Sequence, residues 1–269
     1  MGEQWLTDLE YGSLDDELLI TKMSDLLRGR GLVRVTGFPA SARKLIGFLE
    51  NLGTPLGYYG GGAGTHPDHA AIWRVAYDRE ASQRGETHAS DGPLPVHSSQ
   101  SLLEPRPRYF CMLMANPGWQ DQKHGMNGES LLVPWSGALR LLHAAHPDDY
   151  PQMLQALLQP IPFPGGRSRS VAYEISPKRG PYDYGVRLKS DLFGHLRKVS
   201  PSGYATDVMA RLTDASKRAS RQVQLGAGDL VVVDNDRWGH GREAVTGRRQ
   251  TSQGSWVVNP RELWSLTLA

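Results

Sequence analysis

The sequence predicts a mainly β protein with flanking helices, folded as a single domain. Three observations carry this. The clearest regular segments are short β-branched or aromatic runs, amphipathic helical stretches lie beside them, and no internal repeat or low-complexity segment divides the chain. At 269 residues, with 39% hydrophobic and 22% charged side chains, the chain can bury one large core, and barrels of this length commonly form one domain (residues 1–269).

Taken in order, Ser13-Leu-Asp-Asp16 reads as a capped helix start. Leu14, Leu18, Leu19, Met23, Leu26 and Leu27 then recur at helical spacing until Gly29 and Gly31 interrupt them. Residues 32–36 follow as a strand. Residues 42–52 form a second amphipathic helix, with Leu45, Ile46, Leu49 and Leu52 on one face and Gly53 at its end. Both helices are expected to buttress a β-core.

Residues 54–95 are rich in Gly, His, Asp and Ser and are interrupted by a strand-like stretch at 71–76, so they read as an active-site loop region or lid. Strands at 108–114 and 130–133 flank a Gly/Asn/Gln-rich insertion at 116–127. Residues 134–158 are more helical, 160–166 a proline-rich turn, 171–175 and 185–188 short strands, and 205–219 a helix. Residues 229–234 form a continuous β-branched strand entered through Gly226 and Gly228, with 254–258 as its expected return partner.

A formal net charge of +2 is too small for a surface that coats a nucleic-acid polymer, although a sequence pI near 8.6 leaves room for a basic patch facing an anionic small molecule. Cys111, the single cysteine, sits in the apolar run Tyr109-Phe-Cys-Met-Leu-Met, which suits an inert core thiol and a reducing compartment. The start, MGEQWLTDLE, lacks a basic region followed by an apolar one, and no run of ~18 apolar residues occurs, so the expectation is a soluble, cytoplasmic protein without a membrane partner.

The chemistry concentrates in Gly228-Asp-Leu-Val-Val-Val-Asp-Asn-Asp-Arg-Trp-Gly-His-Gly-Arg242, where a buried strand runs into a polar turn that presents His240. A lone histidine after a strand is more often structural than a ligand. This segment, however, resembles the distal metal-histidine motif of the clavaminate synthase and taurine dioxygenase superfamily of iron(II)/2-oxoglutarate oxygenases. Leu94-Pro-Val-His-Ser-Ser-Gln-Ser-Leu102, followed by Pro107-Arg-Tyr-Phe, is similar to the segment that supplies the proximal ligand as His-x-Asp. The resemblance implies a double-stranded β-helix (jelly-roll, cupin-like) core, with iron held by His97 and His240.

It also implies a 2-oxoglutarate site. Gly128-Glu-Ser130 is similar to the Gly-(Asp/Glu)-Thr element of the family, and Arg248-Arg249 follows His240 where a carboxylate-binding arginine is expected. Arg249 is preferred, because its spacing to Trp256-Val-Val places it on a strand expected to face the barrel interior; a planar guanidinium suits a carboxylate through two parallel hydrogen bonds.

One position departs from the family. Ser99 stands where the metal-binding aspartate is expected, so the usual two-histidine, one-carboxylate set is incomplete. The departure is similar to the iron/2-oxoglutarate halogenases, in which Ala or Gly replaces the aspartate and a halide binds the metal. Iron(II), 2-oxoglutarate, O2 and chloride are then the implied cofactors, and the implied reaction is halogenation of an unactivated C–H bond of a free small molecule in specialised, antibiotic-type metabolism. Hydroxylation, desaturation or cyclisation with the same cofactors is the first alternative, and a noncatalytic ligand-binding barrel the second.

His66-Pro-Asp68 has literal His-x-Asp spacing but lies in a Gly-rich loop, and Asp91 precedes His97 rather than following it. His69, His88, His124, His143, His146 and His195 read as surface or loop histidines. Arg167, Arg169, Lys178, Arg179, Arg187 and Lys189 give the middle of the chain a basic character that suits a phosphate or carboxylate, as in a nucleotide or other phosphorylated metabolite, or simply a solvated charged face.

Overall fold

The structure is a computed structural model; it describes residues 5–57, 62, 64–120, 125–189, 191–200 and 203–269. Two sheets face each other. The larger holds β1 (Asp8–Glu10), β2 (Leu32–Thr36), β3 (Pro55–Leu56), β4 (Thr65–His66), β5 (His69–Ala76), β7 (Tyr109–Asn116), β14 (Leu230–Asp234) and β18 (Glu262–Leu268), in the order β1-β2-β14-β7-β18-β5-β4 with β3 also paired to β18. The smaller runs β13 (Arg221–Val223), β8 (Ser130–Pro134), β15 (Trp238–Arg242) and β6 (Leu94–His97). Three hairpin-like pairs complete the strands: β9 (Pro160–Pro162) with β10 (Ser168–Ser170), β11 (Ala172–Glu174) with β12 (Tyr184–Val186), and β16 (Arg248–Gln250) with β17 (Trp256–Val258). This is the mainly β, jelly-roll architecture the sequence predicts.

Strand alternation divides the core into layers. Phe110, Met112 and Met114 of β7, Val231 and Val233 of β14 and Leu263 of β18 meet Leu132, Val223 and Trp238 of the smaller sheet. Their neighbours one position along, including Cys111, Leu113, Leu230 and Val232, pack against α1 (Asp16–Arg30) and α2 (Ala42–Leu49) through Leu19, Met23, Leu27, Leu45 and Leu49. On the far side, Val96 and Val133 join a cluster built by α4 (Trp135–Ala145), α5 (Tyr150–Leu158), α6 (Leu192–Val199) and α7 (Tyr204–Ala219). A short α3 (Arg79–Gln83) precedes β6. Cys111 is fully buried, and burial pushes its thiol pKa far up, so it is the inert core thiol expected. Among the described residues, no helix is long and apolar enough to cross a membrane.

Helix α1 begins two residues later than Ser13 suggests. Asp15 is its N-cap, accepting the Leu18 amide at 2.8 Å, and Gly31 ends it at φ 74° with its N–H on the carbonyls of Leu26 and Leu27. The stretch at 160–166 contains β9 rather than only a turn, and α6 was not anticipated.

Two larger corrections concern the last third. Strand β14 pairs with β2 and β7, whereas 254–258 folds back on β16 and leaves Trp256 and Val258 more than half exposed. The true neighbour of β7 on its other side is β18, at the C-terminal end of the sequence, and it was missed. Residues 238–242 are also a strand rather than a polar turn. Glycine marks loops in sequence, but here both glycines are steric: a Cβ at Gly239 would lie 2.2 Å from the Trp135 ring, and one at Gly241 would lie 2.7 Å from the Leu94 carbonyl oxygen.

Candidate active site

A cavity of about 710 Å³ opens between the two sheets, floored by Phe110, Leu263 and Ser265 from the larger and walled by β6, β8 and β15 from the smaller. Antiparallel pairing of β15 with β6 sets His240 opposite His97, with ring centroids 4.3 Å apart. Phe110 stacks on His240 at 3.8 Å and fixes the ring plane. His97 Nδ1 lies 3.0 Å from the Pro95 carbonyl oxygen; donating to it leaves Nε2 as the unprotonated nitrogen.

Burial holds the pKa of both imidazoles below the ordinary histidine value, and for His240 the proximity of His97 adds to the effect. Both rings are therefore neutral near pH 7, the state a metal requires. His240 Nδ1 is buried with no hydrogen-bond partner among the described residues. A buried pair of neutral imidazoles, one with an unsatisfied nitrogen, fits a shared metal ion.

Ser99 also lines the cavity and is buried. Its backbone N–H donates to Asn235 Oδ1 at 3.1 Å, while Asn235 Nδ2 donates to the Ser99 carbonyl at 2.8 Å and to that of Pro107 at 3.2 Å. Asn235, in the turn between β14 and β15, thus fixes the chain two residues past His97. Among the described residues, no third histidine, cysteine, aspartate or glutamate joins His97 and His240 to form a metal-holding group. His66 packs edge-on against Trp264 at 4.5 Å and accepts the Asp68 amide on Nδ1, away from the cavity wall. Asp91 contributes its carbonyl to the Val245 amide and its charge to Arg242.

At one end of the cavity stand Ser130, Arg242 and Arg261, with Ser130 opposite Arg242 in register. Arg242 donates to the carbonyls of Ser90 and Gly92 at 2.7 and 2.6 Å, and Arg261 to that of Gly128 at 2.9 Å; the Nε of each is buried without a hydrogen-bond partner among the described residues. Burial pushes the Arg242 pKa down to about 10 and that of Arg261 to about 9, the latter depressed further by Arg242. Gly128, at φ +67°, permits this approach, since a Cβ there would lie 2.7 Å from Arg261 Nε. Two desolvated guanidiniums with unsatisfied donors fit an incoming carboxylate.

Arg248 and Arg249 do not reach the cavity, contrary to expectation. Their strand, β16, belongs to the exposed pair with β17; Arg248 lies over Trp256 at 4.4 Å and Arg249 over Trp119 at 4.3 Å. Arg261 was missed by sequence reasoning, and the available signal was its place just before the apolar run Leu263, Trp264, Leu266 and Leu268. His88 was also misplaced: it lines the cavity, edge-on to Trp73 at 4.8 Å. His143 instead stacks on Tyr150, and His146 meets Arg211. His124 lies outside the described residues.

The family model described as "Taurine catabolism dioxygenase TauD, TfdA family" matches residues 3–184. The chain belongs to this family. With it comes membership of the iron(II)/2-oxoglutarate oxygenase superfamily, and the TauD/TfdA match takes in β6 with His97 but stops before β14 and β15. Among solved structures, PvcB from Pseudomonas aeruginosa is 17% identical, with a TM-score of 0.61 over 98% of this chain and 86% of that one. Asparagine oxygenase (AsnO) is 15% identical with a TM-score of 0.64 over 94% and 78%, and the non-heme iron oxygenase OrfP is 13% identical with a TM-score of 0.58 over 94% and 81%. At these identities the likeness is one of fold. No curated protein matches the chain significantly.

Proposed function

We propose that this TauD/TfdA protein is an iron(II)/2-oxoglutarate-dependent halogenase that places chlorine on an unactivated carbon of a free small molecule in specialised metabolism. His97 and His240 are its iron ligands, and Arg261, with Arg242 and Ser130, holds the distal carboxylate of 2-oxoglutarate. When bound, iron and 2-oxoglutarate supply the O2 activation that breaks the substrate C–H bond. The observation that carries the reading is Ser99: a neutral residue, clamped by Asn235, stands where a carboxylate would complete the metal site, and no other described carboxylate replaces it. Two neutral imidazoles leave the cation short of one anionic ligand, which chloride supplies.

The protein's own residues do the rest by position and charge. Phe110 holds the His240 ring, Asn235 keeps Ser99 at its distance, and Arg242 and Arg261 orient the cosubstrate by its carboxylate. Trp73, Val75, Glu86, Thr87, His88 and Leu94 also line the cavity. Glu86, Thr87 and His88 come from the connection between α3 and β6, which supports a covering role for that part of residues 54–95, whereas Trp73 and Val75 belong to β5 and Leu94 to β6 of the two sheets. Hydroxylation is the second reading, favoured because asparagine oxygenase has been solved with 3-hydroxyasparagine and succinate.

The test is product mass with saturating chloride. Chlorine in place of hydrogen supports halogenation; an oxygen-containing, halogen-free product overturns it in favour of hydroxylation. Ser99→Asp puts a carboxylate in the third position and excludes halide by occupancy and like charge, so the variant loses chlorination while 2-oxoglutarate consumption continues.

A further inference from the structure

The cavity is cationic at two ends, and the proposed cosubstrate needs only one. Its lining includes Arg167, Lys189, Arg242 and Arg261, against Glu86 as a carboxylate. Along β15, Arg242 pairs with Leu94 while His240 pairs with His97, so the Arg242–Arg261 end lies on the β6 side that precedes His97. The other end follows His97. There the Ser98 amide donates to the Leu188 carbonyl at 2.8 Å, which brings Lys189 next to the chain that leaves His97. Arg167 closes the same end, donating to the Leu102 carbonyl.

The basic residues of this stretch separate by place: Arg167 and Lys189 line the cavity, and the others do not. Arg187 is spent on the Ser101 and Ser170 carbonyls, Lys178 on Glu174 at 2.8 Å, and Arg179 on the Gly29 carbonyl at 3.0 Å. Arg169 contacts the Ser168 carbonyl outside the cavity. Among the described residues, Lys189 has only a long 3.9 Å approach to Asp191, and it lines the cavity partly buried. Glu86 is engaged by Arg84 at 2.9 Å and lies 3.6 Å from His88, so its charge is matched by Arg84.

We infer that Lys189 and Arg167 form a second anion site, which binds a carboxylate, phosphate or sulfonate on the substrate and so sets the reacting carbon beside His97 and His240. The inference rests on the proposed cosubstrate site at Arg261. A dianionic cosubstrate is satisfied by the metal at one end and the Arg261 end at the other, so the cations across the histidine pair are available to a separate anion. A substrate with an acidic group places a counter-charge between the two cations that line this end of the cavity.

The test uses the full chain under anaerobic conditions with iron(II) and 2-oxoglutarate bound, so that the Arg261 end is filled. Inorganic phosphate, sulfate and acetate, and a nucleoside 5′-monophosphate beside its uncharged nucleoside, are titrated by calorimetry. The expected result is that at least one anion binds, that the charged member of the pair exceeds the neutral one by about tenfold or more, and that Lys189→Gln and Arg167→Gln each remove most of that preference. Lys189→Arg retains it, and the control Arg169→Gln leaves it unchanged. Binding dominated by phosphate points to a phosphorylated substrate, and by acetate to a carboxylate. Equal binding of neutral and charged members, no binding of any anion, or full preference in both Gln variants overturns the inference. If wild type shows no 2-oxoglutarate binding, it is the cosubstrate reading that fails; phosphate titration of metal-free Arg261→Gln protein then tests the Lys189 end by itself.

Discussion

Strands β14 and β15 are consecutive, each five residues long and each buried at every position, yet they do opposite work. In β14, Leu-Val-Val-Val-Asp, alternate side chains fill the space between the sheets and the space beneath α1 and α2, so its burial is matched by apolar contact on both faces. In β15, Trp-Gly-His-Gly-Arg, the same degree of burial isolates an imidazole and a guanidinium that lack full sets of partners among the described residues. Burial by itself therefore separates nothing; a buried strand whose polar atoms are unsatisfied is the one set up to receive a ligand.

Substitution of the two strands tests this difference. His240→Ala is expected to abolish iron-dependent 2-oxoglutarate turnover while changing folding stability by only about 1 kcal/mol, as read by succinate formation and denaturant unfolding. Turnover at the wild-type level would remove His240 from the metal site. Arg261→Gln should raise the 2-oxoglutarate requirement about tenfold to a hundredfold, from loss of a charge-assisted hydrogen bond worth ~1.5–3 kcal/mol. On β14 the pattern should invert. Val232→Ala leaves the cosubstrate requirement unchanged but lowers stability by about 2 kcal/mol, because the methyl groups removed leave a space in a dry, packed layer.

A smaller effect appears with acid. His97 and His240 have pKa values below the ordinary 6.5 when folded, so below that pH the unfolded chain binds protons the folded one refuses. In metal-free protein the stability is full above about pH 6.5 and declines as pH falls through the window down to the folded values. The loss should be smaller in His240→Ala, and an equal loss in both proteins would place the titration elsewhere. Least of all, Arg249→Gln should leave the 2-oxoglutarate requirement within about twofold of wild type, since its guanidinium lies over Trp119 outside the cavity.

Arg249 lies outside the cavity because of where its strand pair sits in the fold. Trp256-Val-Val258 is apolar and β-branched, and pattern alone makes it a buried strand that would turn Arg249 inward. In the fold it is the outer half of a protruding pair, and the chain reaches the sheet again only at β18. The length of such an excursion leaves no periodic trace. Arg261 is 4% exposed, which depends on the close approach of Gly128, 133 residues earlier in the sequence.

What the sequence determined by itself is local: α1 with its glycine stop, α2, β2, β7, β8, α7 and β14, each written in spacing and capping residues, while short motifs single out His97, Ser99 and His240, which the fold brings to one cavity. The fold class followed from these. Tertiary structure alone decided which strands are neighbours, that β15 is a strand at all, and which cations share a cavity with the histidines. The physical reason is that pairing partners and cavity walls are set by contacts between residues far apart in the chain. His97 faces His240, more than half the chain away in sequence, only because β6 and β15 are adjacent in the smaller sheet.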